Sequence, residues 1–343
     1  MNFERVTVAV ITYNGAKLLE ECLSAIKALN YPDYEVMVVD NHSTDQSVDL
    51  VREKFPAVRI LEMDENRGPN PARNMAILKS KTNYVFLLDD DTILTPHCLS
   101  ILMSARDLIL DIAVYHPRIA YYDDHTRIQH EGAEVHYIAA AIVRNGGMSI
   151  KNASTESVPI GAASGTLLID REKVLPIGLF DEDYFFGWED GEFTFRLTAS
   201  GLKCLSVPGA TVYHKATKRG FSKAFYQIRN RWYFILQIYS LRTIFLILPA
   251  LIVYELSLSG YLTMKGVLIK YLKGNMAVLQ DFGKLMKKRQ KVQLLKKLSD
   301  RELLHTGEIS IRQDLLDSKH AKVGRKLLNL FFDLYWKLVK DSL

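Results

Sequence analysis

The stretch Tyr84-Val85-Phe86-Leu87-Leu88-Asp89-Asp90-Asp91 decides the fold of this 343-residue chain. Its unbroken apolar run is too short for a helix and ends in charge, the pattern of a strand buried on both faces. The adjacent carboxylates of Asp89, Asp90 and Asp91 repel one another. An apolar setting penalises them unless they hold a cation, most simply Mg²⁺ or Mn²⁺. In an extended backbone residues i and i+2 share a face, so Asp89 and Asp91 could grip one metal while Asp90 turns to another partner. The alternative is a solvated acidic turn in which Asp91 or Thr92 caps a helix near Pro96.

The same pattern recurs on the N-terminal side. Val6 to Ile11 is a continuous apolar run, followed by the turn Thr12-Tyr13-Asn14-Gly15 and a helical pattern through Leu18, Leu19, Cys22, Leu23, Ile26 and Leu29. Val36 to Val39 ends at Asp40 and the loop Asn41-His42-Ser43-Thr44-Asp45. A short strand, Val58 to Leu61, leads to Asn66-Arg67-Gly68-Pro69 and a helix near Pro71 to Lys79. Strands that alternate in this way with helices predict an α/β fold, a doubly wound, mostly parallel sheet with helices on both faces. Ligands of such sheets bind outside the carboxyl ends of the strands, where Thr12, Asp40 and Asp89 to Asp91 all fall. No G-x-G-x-x-G follows the first strand and no G-x-x-x-x-G-K-[ST] occurs, so the rim must meet phosphate with metal and arginine instead.

Beyond the triplet, residues 112–158 are irregular, with turn signals at Tyr121 to His125 and Asn145-Gly146-Gly147, and are expected to complete the sheet as mixed strands. Gly161-Ala162-Ala163-Ser164-Gly165 precedes the strand Thr166 to Ile169. Backbone there can approach a ligand closely or make an ordinary tight turn. A second acidic cluster, Trp188-Glu189-Asp190, opens a helical pattern. The helix dipole alone could favour its carboxylates, but Trp188 also offers a flat face for sugar C–H groups beside a carboxylate able to take a hydroxyl proton. His214, after Thr211-Val212-Tyr213, is a candidate for completing a metal site that two Asp carboxylates leave short of ligands.

Charge divides the chain in two. Residues 1–213 hold 19 Lys and Arg against 30 Asp and Glu, whereas residues 214–343 hold 25 against 9. The natural division is a catalytic domain over residues 1–225 and a basic, apolar helical tail over 226–343, which meets an anionic surface. Trp232 to Tyr254 is strongly apolar but is interrupted by Arg242 and Pro249 and ended by Glu255, and its longest uncharged stretch is Thr243 to Tyr254, 12 residues, below the ~20 that a spanning helix needs. Interfacial helices at an anionic membrane surface are therefore expected, with a buried helical hairpin as the alternative. The odd number of cysteines (Cys22, Cys98, Cys204) fits free thiols in a reducing compartment. Met1 to Arg5 runs into the first strand without a secretory pattern. Both point to the cytoplasm, at the inner face of the cell membrane.

Taken in order, Val10-Ile11-Thr12-Tyr13-Asn14, Val38 to Asp45, Glu65-Asn66-Arg67-Gly68 with Ala72-Arg73-Asn74, Leu88 to Thr92, Gly161-Ala162 to Asp181-Glu182, Trp188-Glu189-Asp190 and Val212-Tyr213-His214 resemble the family 2 glycosyltransferases of the GT-A fold. The likeness covers roughly residues 4–235, and the branch it most resembles is that of bacterial rhamnosyltransferases. This resemblance implies a nucleoside-diphosphate sugar donor, with rhamnose as the sugar of that branch, and a lipid-linked or polysaccharide acceptor. Thr12 and Asp40 would contact the base, with Tyr13 lining its pocket and Asn14 nearby. Arg73 and Arg67 would balance donor charge, and Asp89 or Asp90 would reach the ribose. Asp91 would bind Mg²⁺ or Mn²⁺, with Asp89 second and His214 completing the coordination. Asp190 would be the general base with Glu189 beside it, and Trp188, Gly161 and Ala162 would meet the acceptor.

One carboxylate base opposite the leaving group gives inversion, whereas retention usually needs a second carboxylate as nucleophile, for which there is no strong candidate. Processive relatives carry Q-x-x-R-W; here Gln227-Ile228-Arg229-Asn230-Arg231-Trp232 has one extra residue. Transfer of a single sugar is thus expected, with Arg229 and Arg231 meeting diphosphate or membrane. Two other readings compete. A sugar nucleotidyltransferase would need a glycine-rich phosphate cradle after the first strand, which Thr12-Tyr13-Asn14-Gly15 matches poorly. A non-enzymatic membrane or nucleic-acid module leaves the acidic rim unexplained, so no nucleic acid partner is expected.

Overall fold

Each apolar run of the N-terminal half becomes a strand, and its side chains divide by alternation between two cores. In β1 (Val6–Thr12) the residues Val6, Val8 and Val10 pack with Leu19, Leu23 and Ile26 of α1 (Ala16–Lys27), while Ala9 and Ile11 pack with Ala72, Ala76 and Ile77 of α3 (Pro69–Lys79). A strand sandwiched between helices needs apolar residues on both faces, so its sequence does not alternate. The computed structural model describes residues 3–215, 220–310 and 319–343, without the side chains of 319–322; Met1 and Asn2 of the N-terminal reading lie outside the described residues.

The parallel half of the sheet comprises β1, β2 (Tyr34–Asp40), β3 (Arg59–Glu62) and β4 (Tyr84–Asp89), with α2 (Ser47–Lys54) joining β2 to β3. The register aligns Thr12 with Asp40 and Ile11 with Asp89, so the three strand ends form one rim. Next come β5 (Thr92–Leu94), α4 (Cys98–Ser104), β6 (Ile112–Tyr121), β7 (Ile128–His130), β8 (Ala133–His136), β9 (Ala140–Val143), β10 (Val158–Ile160), β11 (Leu167–Asp170), α5 (Arg171–Val174), α6 (Glu189–Ala199) and β12 (Lys203–His214). The order in the large sheet is β10-β12-β6-β11-β4-β1-β2-β3, with β5 on β12 and β7 on β6.

That sheet is mixed rather than mostly parallel. β11 enters from the Gly161–Gly165 loop at the carboxyl rim and runs back, antiparallel to both β4 and β6. Its reversal sets the small-residue loop beside the end of β4. Residues 112–158 do not all complete the sheet either: β8 and β9 leave it for a separate three-stranded sheet with β13 (Leu304–His305).

The residues after 225 pack directly on this frame. α7 (Ala224–Ile238), α8 (Leu241–Met264), α9 (Leu268–Gln280), α10 (Phe282–Leu295), α11 (Asp300–Leu303) and α12 (Lys319–Val339) are helical as expected. A third core joins Val135, Tyr137 and Ile138 of the small sheet to Phe234, Ile235 and Ile238 of α7, Leu251 of α8 and Phe332 of α12. Arg231 donates from Nε and Nη2 to the Ile138 carbonyl at 3.0 and 2.8 Å, and Arg229 donates to the Asp183 carbonyl at 2.6 Å. Both guanidiniums are thus spent inside the fold rather than on diphosphate or membrane.

α8 departs from the sequence expectation. It runs unbroken through Pro249 and Glu255 for 24 residues, about 36 Å at the usual rise. Glu255 does not end it because the Arg231 guanidinium and the Tyr271 hydroxyl take its carboxylate. By length and composition α8 could cross a membrane, and only 22% of its most apolar window is buried. Leu241, Phe245 and Leu256 are 70%, 76% and 68% exposed, so α8 is no buried hairpin.

Candidate functional site

The rim is built around short local contacts. Thr12, at the end of β1, donates from Oγ1 to Asp90 Oδ2 at 2.6 Å. The backbone N–H of Tyr13 also bonds Asp90, yet burial is the larger influence and pushes its carboxyl up to about 7. Gly15 is required here: a Cβ on it would lie 2.0 Å from Asp90 Oδ2 and 2.4 Å from Thr12 Oγ1. Tyr13 itself is half exposed. Asn14 accepts at Oδ1 from the Thr44 N–H at 2.8 Å, and its own N–H donates to Ser43 Oγ at 2.8 Å. Its side chain therefore ties the β1 loop to the β2 loop. Asp40 is buried; its Oδ2 accepts from the Ser43 N–H at 2.9 Å, and its Oδ1 is buried without a partner.

The triplet does not share a face as expected. β4 ends at Asp89, and Asp90 and Asp91 form the turn into β5, so the extended-chain rule stops applying after the first carboxylate. The capping alternative fails too, because Thr92 starts β5 and donates to the Asp89 carbonyl at 2.6 Å, while His97 precedes α4. Asp89 faces Arg73, whose Nη2 lies 3.1 and 3.3 Å from its two oxygens. Asp91 faces His214 instead: Asp91 Oδ2 is 3.2 Å from His214 Nε2, and Gln129 Oε1 holds His214 Nδ1 at 2.8 Å. Antiparallel pairing of β5 with β12, which sets His214 opposite Thr92, creates that approach.

Arg73 is the hub. Projecting from α3 and 3% exposed, it also donates from Nη1 to Asp190 Oδ1 at 2.5 Å and to Asn70 Oδ1 at 3.4 Å. Asp190 sits in the first turn of α6, where the Gly165 N–H bonds it. Burial outweighs Arg73 and raises its carboxyl to about 6. Burial, reinforced by Asp190, lifts Glu189 to about 8, so at neutral pH Glu189 is a proton donor beside an ionised neighbour. Arg67 does not join this group. It is half exposed and pairs with Glu65 and Glu182 at 3.5 and 3.6 Å.

The small-residue loop touches side chains. A Cβ on Gly165 would stand 2.4 Å from Arg73 Nη2, and one on Gly161 2.6 Å from Glu134 Oε2. The Ala162 backbone is already bridged to Ala133, so Gly161 and Ala162 offer less free backbone than expected. Trp188, with φ of 67° at the start of α6, stacks on Phe234 at 4.4 Å while still lining a cavity of about 1350 Å³ that also borders Glu189, Asp190 and Ala162.

The donor set suits a divalent cation only in part. Among the described residues no three His, Cys, Asp or Glu side chains gather as a metal cluster, because Arg73 diverts Asp89. A carboxylate and an imidazole nevertheless converge in Asp91 and His214, and Asp91 Oδ1 is buried without a partner. Two protein ligands and an orphaned carboxylate oxygen fit a cation whose other positions a diphosphate fills. Sequence reasoning missed Gln129, which orients the His214 ring; it carries no local signal, since the contact is made across distant strands. Gly165, in the small-residue loop, makes its close approach to Arg73.

Residues 7–171 match the family model described as glycosyl transferase family 2. The chain is 24% identical over 209 residues to the poly-beta-1,6-N-acetyl-D-glucosamine synthase of Staphylococcus aureus, covering 60% of this chain and 48% of that protein. It is 33% identical over 93 residues to the poly(ribitol-phosphate) beta-glucosyltransferase of Bacillus spizizenii, covering 25% and 15%. It thus spans less than half the length of either curated relative. Its fold resembles that of the mannosyltransferase PcManGT from Pyrobaculum calidifontis in complex with GDP-Man and Mn²⁺, at a TM-score of 0.53 and 17% identity over 99% of this chain and 88% of that one.

Proposed function

We propose, from the match of residues 7–171 to the family 2 glycosyltransferase model, that this protein transfers one sugar from a nucleoside diphosphate to an acceptor hydroxyl with inversion. The observation that carries the reading is Arg73, held between Asp89 on the donor side and Asp190 at the cavity wall. Thr12, Tyr13 and Asp40 form the nucleotide end of the rim, and Asp89 or Asp90 reaches the ribose. Asp190 takes the acceptor proton as the acceptor oxygen bonds the anomeric carbon. The sugar–phosphate bond breaks on the opposite face and its electron pair leaves with the nucleoside diphosphate. Asp91 and His214 would hold Mg²⁺ or Mn²⁺, which when bound stabilises the charge that develops on the departing diphosphate. Glu189 orients the acceptor, which is lipid-linked or a polysaccharide. Rhamnose as donor sugar follows from the branch resemblance alone.

The exposed apolar residues of α8 and the basic surplus after residue 213 support action at the inner face of the cell membrane, with residues 226–343 as the membrane-associating region. The test is a thermal-shift screen of nucleoside diphosphates with and without Mn²⁺, followed by transfer assays of Asp91→Ala and Asp190→Asn. One nucleotide should stabilise the protein in a metal-dependent way, and both variants should lose transfer while remaining folded. Intact transfer in either one would remove the role assigned to that residue.

A further inference from the structure

The cavity beside Asp190 is larger than one sugar acceptor requires. Its volume is about 1350 Å³, above the ~300–1,000 Å³ usual for small-molecule sites. Ser164, Glu189 and Asp190 line it beside the candidate base, and Leu258 and Leu262 of α8 and Leu328 and Phe332 of α12 give it apolar walls, with Gln227, Arg231, Ser257 and Asn329 as polar groups between them. Along α8 the lining from Tyr254 to Met264 covers ten residues' rise, about 15 Å. Met264 and Leu327, both lining residues, are 79% and 64% exposed, so the cavity opens between α8 and α12. Large exposed apolar side chains are frequent in the same part of the chain: among the described residues, 17 of 24 lie between Leu241 and Leu338, Met264 and Leu327 among them.

One cavity therefore joins the general base to an apolar exterior. Resting on the transferase reading above, we infer that the acceptor is an amphiphile with a long hydrocarbon chain, and that the chain portion next to its head group lies in this cavity between α8 and α12. A polymer acceptor free of lipid would place hydroxyl-rich surface against Leu258, Leu262 and Phe332, which return no hydrogen bonds. The lining also supplies a site for a phosphate between head group and chain. Arg325 Nη2 bonds Glu308 at 2.8 Å, but its Nε is buried without a partner.

The probe is n-dodecyl phosphate, titrated calorimetrically into the full chain below its micelle concentration, with inorganic phosphate and n-butyl phosphate as controls. Binding should be saturable and should strengthen with chain length, by roughly fourfold per methylene that enters the cavity. Ser257→Phe and Ala140→Phe, at half-buried lining positions, place a ring in the path. Displacing two methylenes should weaken binding roughly fifteenfold, while nucleoside-diphosphate stabilisation with Mn²⁺ stays unchanged and reports the fold. Phe245→Glu, on the exposed face of α8, should reduce flotation with anionic vesicles but leave dodecyl phosphate binding intact. This separates a chain in the cavity from a bilayer against the helix. Undiminished binding in both ring-inserted variants overturns the proposal, as does absence of dodecyl phosphate binding in protein that a nucleotide stabilises. Dodecyl phosphate binding without stabilisation by any nucleoside diphosphate would overturn the transferase reading, and the acceptor role with it.

Discussion

Arg73→Met keeps the length of the side chain and removes the guanidinium that two carboxylates share. Taking one partner from a buried ion pair costs about 3–5 kcal/mol, because the other charge is left uncompensated. Asp89 is 42% exposed and can turn to water, whereas Asp190 is 18% exposed and cannot. The loss therefore falls mainly on Asp190, at the lower end, ~3 kcal/mol. With Arg73 present the Asp190 carboxyl stands at about 6; without it, burial and Asp89 act unopposed and move it higher. The wild-type transfer rate, measured as kcat/KM against pH, should thus fall below about pH 6. In the variant this acid limb should shift to higher pH, with a deficit at pH ~7 that narrows toward pH ~9.

Stability follows the same proton. Between its unfolded and folded pKa values Asp190 binds more protons in the native state, so stability declines as pH rises through that window. The variant widens the window upward, so its melting deficit should be larger at pH ~8 than at pH ~5. An acid limb that stays near its wild-type position, or a deficit that is larger in acid, would refute the coupling of Arg73 to Asp190.

Other expectations concern separate parts of the site. Gly15→Ala should abolish stabilisation by nucleoside diphosphates in a thermal-shift assay, because its Cβ would collide with both Asp90 and Thr12. Gln129→Ala should weaken Mn²⁺ dependence of nucleotide binding by about 10–100-fold, the usual cost of losing a group that orients a ligand, with Mn²⁺ titration as the readout. The pair Leu241→Glu and Phe245→Glu should reduce vesicle flotation of the full chain strongly, since each side chain contributes about 1.5–3 kcal/mol when buried; unchanged flotation would place the membrane contact elsewhere.

The parallel half of the sheet was legible because its strands are short, apolar on both faces and closed by polar turns, so that Thr12, Asp40 and Asp89 could be placed on one rim without any long-range contact. What failed was local geometry extended one residue too far. Asp91 was paired with Asp89 on the assumption of continued strand, but the chain turns at Asp90 and sends Asp91 to His214. Arg73 could be placed near the donor, yet its bond to Asp190 depends on α6 packing beside α3, which no periodicity encodes. The full length of α8 was hidden for a different reason. Glu255 looks like the end of an apolar segment only while its partner, Arg231 on the preceding helix, is out of view.

The strand reversal at β11 has a consequence for how the molecule is divided. The match to the family 2 glycosyltransferase model ends at residue 171, immediately after β11, whereas Asp190, Glu189 and His214 all follow it. The stretch up to that point holds Thr12, Asp40, Arg73 and the Asp triplet, and the following forty or so residues hold Glu189, Asp190 and His214. The carboxylate hub and the imidazole are therefore completed only when the chain after β11 folds back on the rim, through Arg73 to Asp190, Asp91 to His214 and the β5–β12 pairing among other contacts.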